Sequence, residues 1–249
     1  IKDKEAAALE TQKLEKDKIV NDLKKEGKEL NNQLTAYKKQ NAKVEKAIAA
    51  AIKKARDDAS KAAMKKAKED AAANLAATKS NTAPKTNPEK TTPAIKKIEP
   101  EKSPDILLNA GNIALNESFK KNRGLLPWPV DKGIPILHYG RNRLPSGRDI
   151  DVTGVTISTD IGSNVKSVFD GVVSSVVFIE DMQVIIIQHG EYFSTYSNLG
   201  SVSVKTGQNV KTGQVIGKAA ANLDGNGSID MYINDAKGND IDPEKWLKR

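Results

Sequence analysis

Residues 165–196 read VKSVFDGVVSSVVFIEDMQVIIIQHGEYFSTY. Four short runs of β-branched and aromatic residues sit inside this stretch: Val165–Val168, Val172–Ile179, Val184–Gln188 and Phe193–Tyr196. Gly and Asp break them, which is the pattern of strands joined by tight turns. Moving outward, Ile229–Ile233 is a fifth such run. No helical pattern longer than a turn or two intervenes between Leu125 and the tail Pro243–Lys248. Residues 124–249 are therefore expected to form a mostly antiparallel β domain of ordinary size.

Upstream the composition changes. Residues 1–78 are rich in Ala, Lys, Glu, Leu and Gln, lack proline and contain Gly27 as their one glycine, a helix-forming content. Val20, Leu34 and Ile48 recur at a heptad a position, and Leu23, Leu30, Tyr37 and Val44 at d. The seam has flaws, with Gly27 and Asn41 at a and Lys16 at d, and it thins to alanine beyond Ile52. The reading is a long coiled-coil helix over 1–78 whose apolar stripe needs a partner helix. Residues 79–104 hold five prolines among lysines and read as an extended linker. Residues 105–123 read as a short amphipathic helix, with Ile106, Leu107, Ile113 and Phe119 on one stripe, a basic last turn and Gly124 as the stop. The fold class is α+β.

Several functions fall away on composition. The chain has no cysteine, so thiolate metal sites, thiol nucleophiles and disulfides are excluded. Its longest apolar run, Val184–Ile187, is far short of the ~20 residues of a membrane-spanning helix. Residues 1–100 hold 24 basic and 15 acidic side chains, so the net charge of +8 belongs to the helical segment. Only Tyr37 of the eleven aromatic residues precedes Phe119. Without aromatics among its lysines the segment does not read as a nucleic-acid surface. No signal peptide is visible in a chain that begins with Ile1, which is expected to be a processed or trimmed piece.

Six separated motifs in the β domain agree in order and spacing with one family. They are Leu126-Pro127-Trp128-Pro129-Val130; Gly162-x-x-Val165 with Asp170-Gly171-Val172-Val173; Ile187-Gln188-His189-Gly190; Tyr196-Ser197-Asn198-Leu199; Val204-x-x-Gly207-x-x-Val210-x-x-Gly213-Gln214-x-Ile216-Gly217; and Asp242-Pro243-Glu244-x-Trp246-Leu247. Together they resemble the LytM or lysostaphin-type zinc endopeptidase domain. With the helix before it, the chain resembles an EnvC-type murein hydrolase activator.

The resemblance implies a zinc site built from a His and an Asp four residues apart, an H-x-H strand and a further His in a Tyr-x-His-Leu motif. In this sequence Val152 and Thr156 stand at the first pair, Asn198 at the third motif, and Ile229 and Met231 at H-x-H. Val and Ile cannot bind zinc, and Met and Asn are poor ligands for it. The chain's two histidines, His138 and His189, map to other places. No metal, cofactor or catalytic residue is expected.

For such a degenerate domain the resemblance implies activation of an N-acetylmuramoyl-L-alanine amidase, which binds the emptied groove. That groove would be lined by Val152, Thr156, Asn198, Ile229 and Met231, with Tyr196 and Tyr232 as anchors and Asp235 pairing a basic residue of the partner. The alternative for each of these residues is ordinary packing. The 105–123 helix either lies in the groove as a restraining element or caps the β domain. The resemblance further implies a periplasmic location, docking of the coiled coil to an FtsEX-type cell-division transporter, and contact with peptidoglycan. A rival reading is a periplasmic adaptor of an efflux or secretion system, since Asp170–Val173 and Val204–Gly217 resemble lipoyl-like half-motifs. Adaptors place their helical hairpin between those halves, whereas here the helix precedes both.

Overall fold

The computed structural model describes residues 2–79, 110–144 and 146–248. The expected linker, apart from Lys79, and residues 105–109 of the expected short helix lie outside the described residues. Helix α1 (Lys2–Lys79) is continuous over 78 residues, a rod of about 117 Å at 1.5 Å per residue. Helix α2 (Ala110–Lys121) ends on Lys120 and Lys121, and Gly124 follows in the left-handed conformation at φ +80°.

The remaining elements are β1 (Ile134–Leu137), β2 (Gly140–Arg143), β3 (Asp149–Val152), β4 (Val155–Ser158), β5 (Asn164–Lys166), β6 (Gly171–Ile179), β7 (Met182–His189), β8 (Tyr192–Val202), β9 (Asn209–Val210), β10 (Val215–Ala221), β11 (Gly227–Asp235) and β12 (Asp240–Ile241), closed by a 3-10 turn at Pro243–Lys245. Strands β2 and β3 pair apart from the rest. The other ten form one sheet in the order β1-β4-β11-β10-β8-β7-β6-β9, with β12 on β11, β5 on β10 and a further β8–β11 pairing. All strand pairings are antiparallel.

Strand alternation divides the sheet's side chains between two cores. Ile185 and Ile187 of β7, Tyr196 of β8 and Ile229, Met231 and Ile233 of β11 point to the main core, with Val155, Ile157, Leu199, Ile216, Phe119 and Trp246. Their neighbours Val184, Ile186, Phe193 and Tyr232 point the other way, into a second core completed by α1 through Val44, Ile48, Ala51 and Ile52. The seam of α1 thus finds its cover in a sheet face, where the sequence led us to expect a helix. Asn41, a flaw in a coiled-coil seam, accepts a hydrogen bond from the Tyr232 hydroxyl at 2.6 Å. Thr153 Oγ1 donates to Glu45 at 3.3 Å, and Lys43 pairs with Glu180 at the β6–β7 turn. Toward the N-terminus the stripe is open: Val20, Leu23 and Leu30 are exposed.

Helix α2 sits elsewhere. Phe119 is fully buried, stacks on His189 with ring centroids 4.9 Å apart and planes 8° apart, and also packs on Tyr192 and Trp246. Asn116 Nδ2 donates to Glu191 at 3.0 Å. Over the described residues Ala110–Lys121 this helix packs on the β domain through Phe119, its one large aromatic, which belongs to the main core. His189 is buried between the Asp170 carbonyl and Ser194 Oγ, both 2.7 Å from its ring nitrogens.

Two outcomes follow from this packing. Phe119→Ala should lower unfolding free energy by about 3 kcal/mol or more, the usual cost of emptying a fully buried aromatic site, as read by denaturant titration. Burial lowers the pKa of His189 from 6.5 to about 4. The folded domain therefore resists the proton that the unfolded chain accepts, and stability is complete above pH 6.5. It should fall as pH drops toward 4, by about 3 kcal/mol in all, and His189→Gln should flatten this part of the stability profile.

Candidate functional site

Strands β4, β8 and β11 bring three polar side chains to one point on the α1-facing side of the sheet. Asp230 lies directly across from Thr156 of β4 and from Ser197 of β8. Thr156 Oγ1 donates to Asp230 Oδ1 at 2.7 Å, and Ser197 Oγ to Oδ2 at 3.2 Å. Next to them Asn198 takes a left-handed conformation at φ +57°, which asparagine tolerates better than most residues. Its amide donates to the Ser228 carbonyl at 2.9 Å and lies 3.2 Å from Ser228 Oγ. The loop before β4 is pressed against β11 at Gly154. A Cβ there would stand 2.4 Å from the Met231 carbonyl and 2.6 Å from the Tyr232 ring, so this approach requires glycine.

Helix α1 roofs the point. Tyr37 brings its hydroxyl to the neighbourhood of Asp230 and Thr156, where it is buried. Burial raises the pKa of the Asp230 carboxyl, and its two hydrogen bonds oppose the rise only in part. Burial also raises the Tyr37 and Tyr232 hydroxyls, with Asp230 adding to both. The site is a desolvated acid among neutral hydroxyls.

The residues singled out from the sequence are divided by this geometry. Thr156 joins Asp230, Asn198 bonds to Ser228 beside it, and Tyr232 packs against α1. Val152 is buried at the end of β3, one turn before Thr156. Ile229 and Met231 are fully buried in the main core and do not line the groove. Tyr196 is likewise no groove anchor: its hydroxyl accepts from the Val168 amide at 2.9 Å inside that core. Asp235 closes the β11–β12 turn, accepting from the Lys237 and Asn239 amides at 2.8 and 2.9 Å.

Ser197, Ser228 and Asp230 were missed, although a signal for two of them was present. Ile229, Met231 and Ile233 are spaced by two, so a buried strand must turn Ser228 and Asp230 to the opposite face. The H-x-H positions are therefore held by Ser228 and Asp230, one residue earlier than sequence matching placed them.

Residues 151–243 match the profile of Peptidase family M23. They form an M23 domain. An uncharacterized protein of Neisseria meningitidis serogroup B is 34% identical over 134 residues, 53% of this chain, and the chain spans 22% of that relative's length. Among solved structures, a zinc-containing peptidase from Vibrio cholerae is similar at 26% identity and TM-score 0.42, covering 51% of this chain and 41% of that one. The catalytic domain of the prophage-encoded M23 protein EnpA from Enterococcus faecalis is similar at 17% identity and TM-score 0.42, covering 49% of this chain and 96% of the other.

The residues of this M23 domain do not fit zinc. Val152 offers no donor, Thr156 and Ser228 offer neutral hydroxyls, and a lone carboxyl remains at Asp230. Among the described residues no three His, Cys, Asp or Glu side chains gather where they could hold a metal ion. His189 lies in the main core, and His138 pairs at the surface with Glu244 at 2.9 Å.

The register is open to a direct check. Val152→His, Thr156→Asp and Asp230→His together should create a site that retains one zinc per chain after dialysis, read by elemental analysis. Replacing the third change by Met231→His should leave the chain metal-free, because that imidazole would enter the main core.

Proposed function

We propose that this chain is a non-catalytic regulator of cell-wall hydrolysis, which activates an N-acetylmuramoyl-L-alanine amidase by receiving a helical segment of it in the emptied M23 groove. The observation that carries the reading is the occupant of the groove. A surface whose metal donors are replaced by Val, Thr, Ser and Asp is floored by Val184, Ile186, Phe193 and Tyr232 and filled by the amphipathic stripe of α1. A groove that fits one helix side-on is suited to exchange it for another. Helix α1 is then the restraining element, the role that the sequence left open for the 105–123 helix.

The remaining parts of the proposal follow from that arrangement. The exposed stripe of Val20, Leu23 and Leu30 is the handle by which a membrane partner, of the FtsEX transporter type, would pull α1 from the sheet. The setting is the periplasm, and no cofactor takes part. The adaptor reading loses its ground, since the M23 match spans both lipoyl-like half-motifs.

Dye release from labelled peptidoglycan tests the proposal, with the chain alone, the amidase alone, and both together. Release is expected only from the mixture, and Val44→Lys with Ile48→Lys should raise it severalfold by expelling α1. Release by the chain alone would overturn its non-catalytic character. A mixture no faster than the amidase alone, even with the expelled-helix variant, would overturn the activator reading.

A further inference from the structure

Helix α1 carries its charge unevenly. Residues 2–37 hold eight lysines and eight acids, whereas residues 38–68 hold eleven basic side chains and three acids. The excess in that second stretch equals the net charge of the whole chain, +8. The same stretch lies on the sheet through Val44, Ile48, Ala51 and Ile52. At 3.6 residues per turn, Lys39, Lys46 and Lys53 stand on the side of the helix turned away from that contact. Lys54, Lys61 and Lys68 form a second file beside them. All six are exposed, and each file repeats every seven residues, or about 10.5 Å. Among the described residues the ion pairs of α1 are Lys43–Glu180 and Lys65–Glu69, so none of the six is neutralised within the chain.

Solvation alone does not call for this pattern. The N-terminal part of the same helix stands in water with balanced charge, its Val20, Leu23 and Leu30 exposed. In the basic part, like charges on one face repel one another, a cost that a facing layer of anions removes. The chemistry of the ridge narrows what that layer is. Lysine is a mobile point charge without the planar fork by which arginine reads a fixed geometry. Residues 38–68 contain no aromatic side chain, and Asp57 is the one acid between the two files. The ridge can therefore meet a flat anionic surface over about 44 Å, and has no means to stack on a sugar or a base.

We propose that the outer face of α1, from Lys39 to Lys68, docks on the surface of an anionic phospholipid bilayer. Phosphate headgroups present dense negative charge in one plane, and lipids move sideways to meet each lysine. The contact is electrostatic and shallow, because the apolar stripe of this part of the helix is occupied by the sheet. Docking and cover of the groove use opposite faces of one helix, so neither requires the loss of the other. The bound chain lies with α1 between the bilayer and the sheet. Nothing in this contact depends on an amidase partner.

Cosedimentation of the full chain with vesicles tests the proposal, using phosphatidylcholine alone and phosphatidylcholine mixed with phosphatidylglycerol. Binding is expected only with phosphatidylglycerol. It should vanish as salt rises from about 0.1 M to about 1 M and the Debye length shrinks from about 10 Å to about 3 Å. Lys39→Glu, Lys46→Glu and Lys53→Glu together should weaken it about a hundredfold or more. Lys18→Glu, Lys25→Glu and Lys28→Glu, the same change of charge in the balanced part, should leave most of it. Protection of residues 41–52 from hydrogen exchange should be alike in all three chains and should not fall when vesicles bind. Equal loss from the two triple variants, equal binding to phosphatidylcholine, or binding to peptidoglycan sacculi in place of vesicles would each overturn the proposal. So would exchange that opens at 41–52 on binding, since the lipid would then be taking the apolar face of the helix and not its lysines.

Discussion

Strand β11 sets the constraint on which the rest of the molecule depends. It is paired on both sides, to β4 and to β8, so none of its side chains is free to choose a face. Ile229, Met231 and Ile233 commit one face to the main core. That commitment turns Ser228, Asp230 and Tyr232 toward α1. A slip of one residue would bury a carboxyl among aliphatics and expose three large apolar side chains, which is why the register is held so firmly. Gly154 adds a second lock, since the loop carrying Val152 and Thr156 can approach β11 only where no Cβ intervenes.

From that constraint comes the role of α1. A sheet covered on one face alone leaves Val184, Ile186, Phe193 and Tyr232 in water, an apolar strip wide enough for a single helix. A 78-residue amphipathic helix with no helical partner among the described residues has the complementary need. Each answers the other over the length from Asn41 to Ala59, with polar contacts along the edge at Lys43–Glu180, Glu45–Thr153 and Asn41–Tyr232. The contact accounts for a sequence feature that heptad reasoning treats as an error. Asn41 belongs in the seam because the surface opposite it is a tyrosine hydroxyl and not a leucine.

Much of the architecture was legible in the residues. β-branched runs broken by Gly and Asp give the strands, proline-free Ala/Lys/Glu composition gives α1, and the motifs from Leu126 to Leu247 give the domain type. The loss of zinc donors at Val152 and Thr156 was legible too. The H-x-H strand was misread by one residue: Ile229 and Met231 were taken for positions that face the groove, whereas they face the main core. Alternation within Ile229–Ile233 was the better guide, as it depends on physics inside the strand. What the sequence did not reveal is the identity of the helix in the groove. A stripe of Val, Ile and Ala at heptad spacing fits a helix and a flat sheet equally well, and nothing local distinguishes the two.

The two helices hold the β domain by different kinds of contact, and this decides which one can leave. Helix α2 inserts Phe119 into the main core against His189, and both His189 ring nitrogens have their partners. Removing it would open a cavity and uncover Trp246. Helix α1 covers a satellite core through small and medium aliphatics, with the Thr195 hydroxyl buried without a partner in the sheet, as is the Trp246 indole N–H beside Phe119. Local opening follows the contacts whose loss costs least, and unsatisfied polar groups regain water when the cover lifts. The burial that lowers the His189 pKa and raises that of Asp230 gives the two contacts opposite responses to acid. Acid loosens the domain around α2, whereas protonation of Asp230 favours the covered face of the sheet. The proposed exchange of occupants needs this division, in which one helix shares the main core through Phe119 and the other covers a separate core on the opposite face of the sheet.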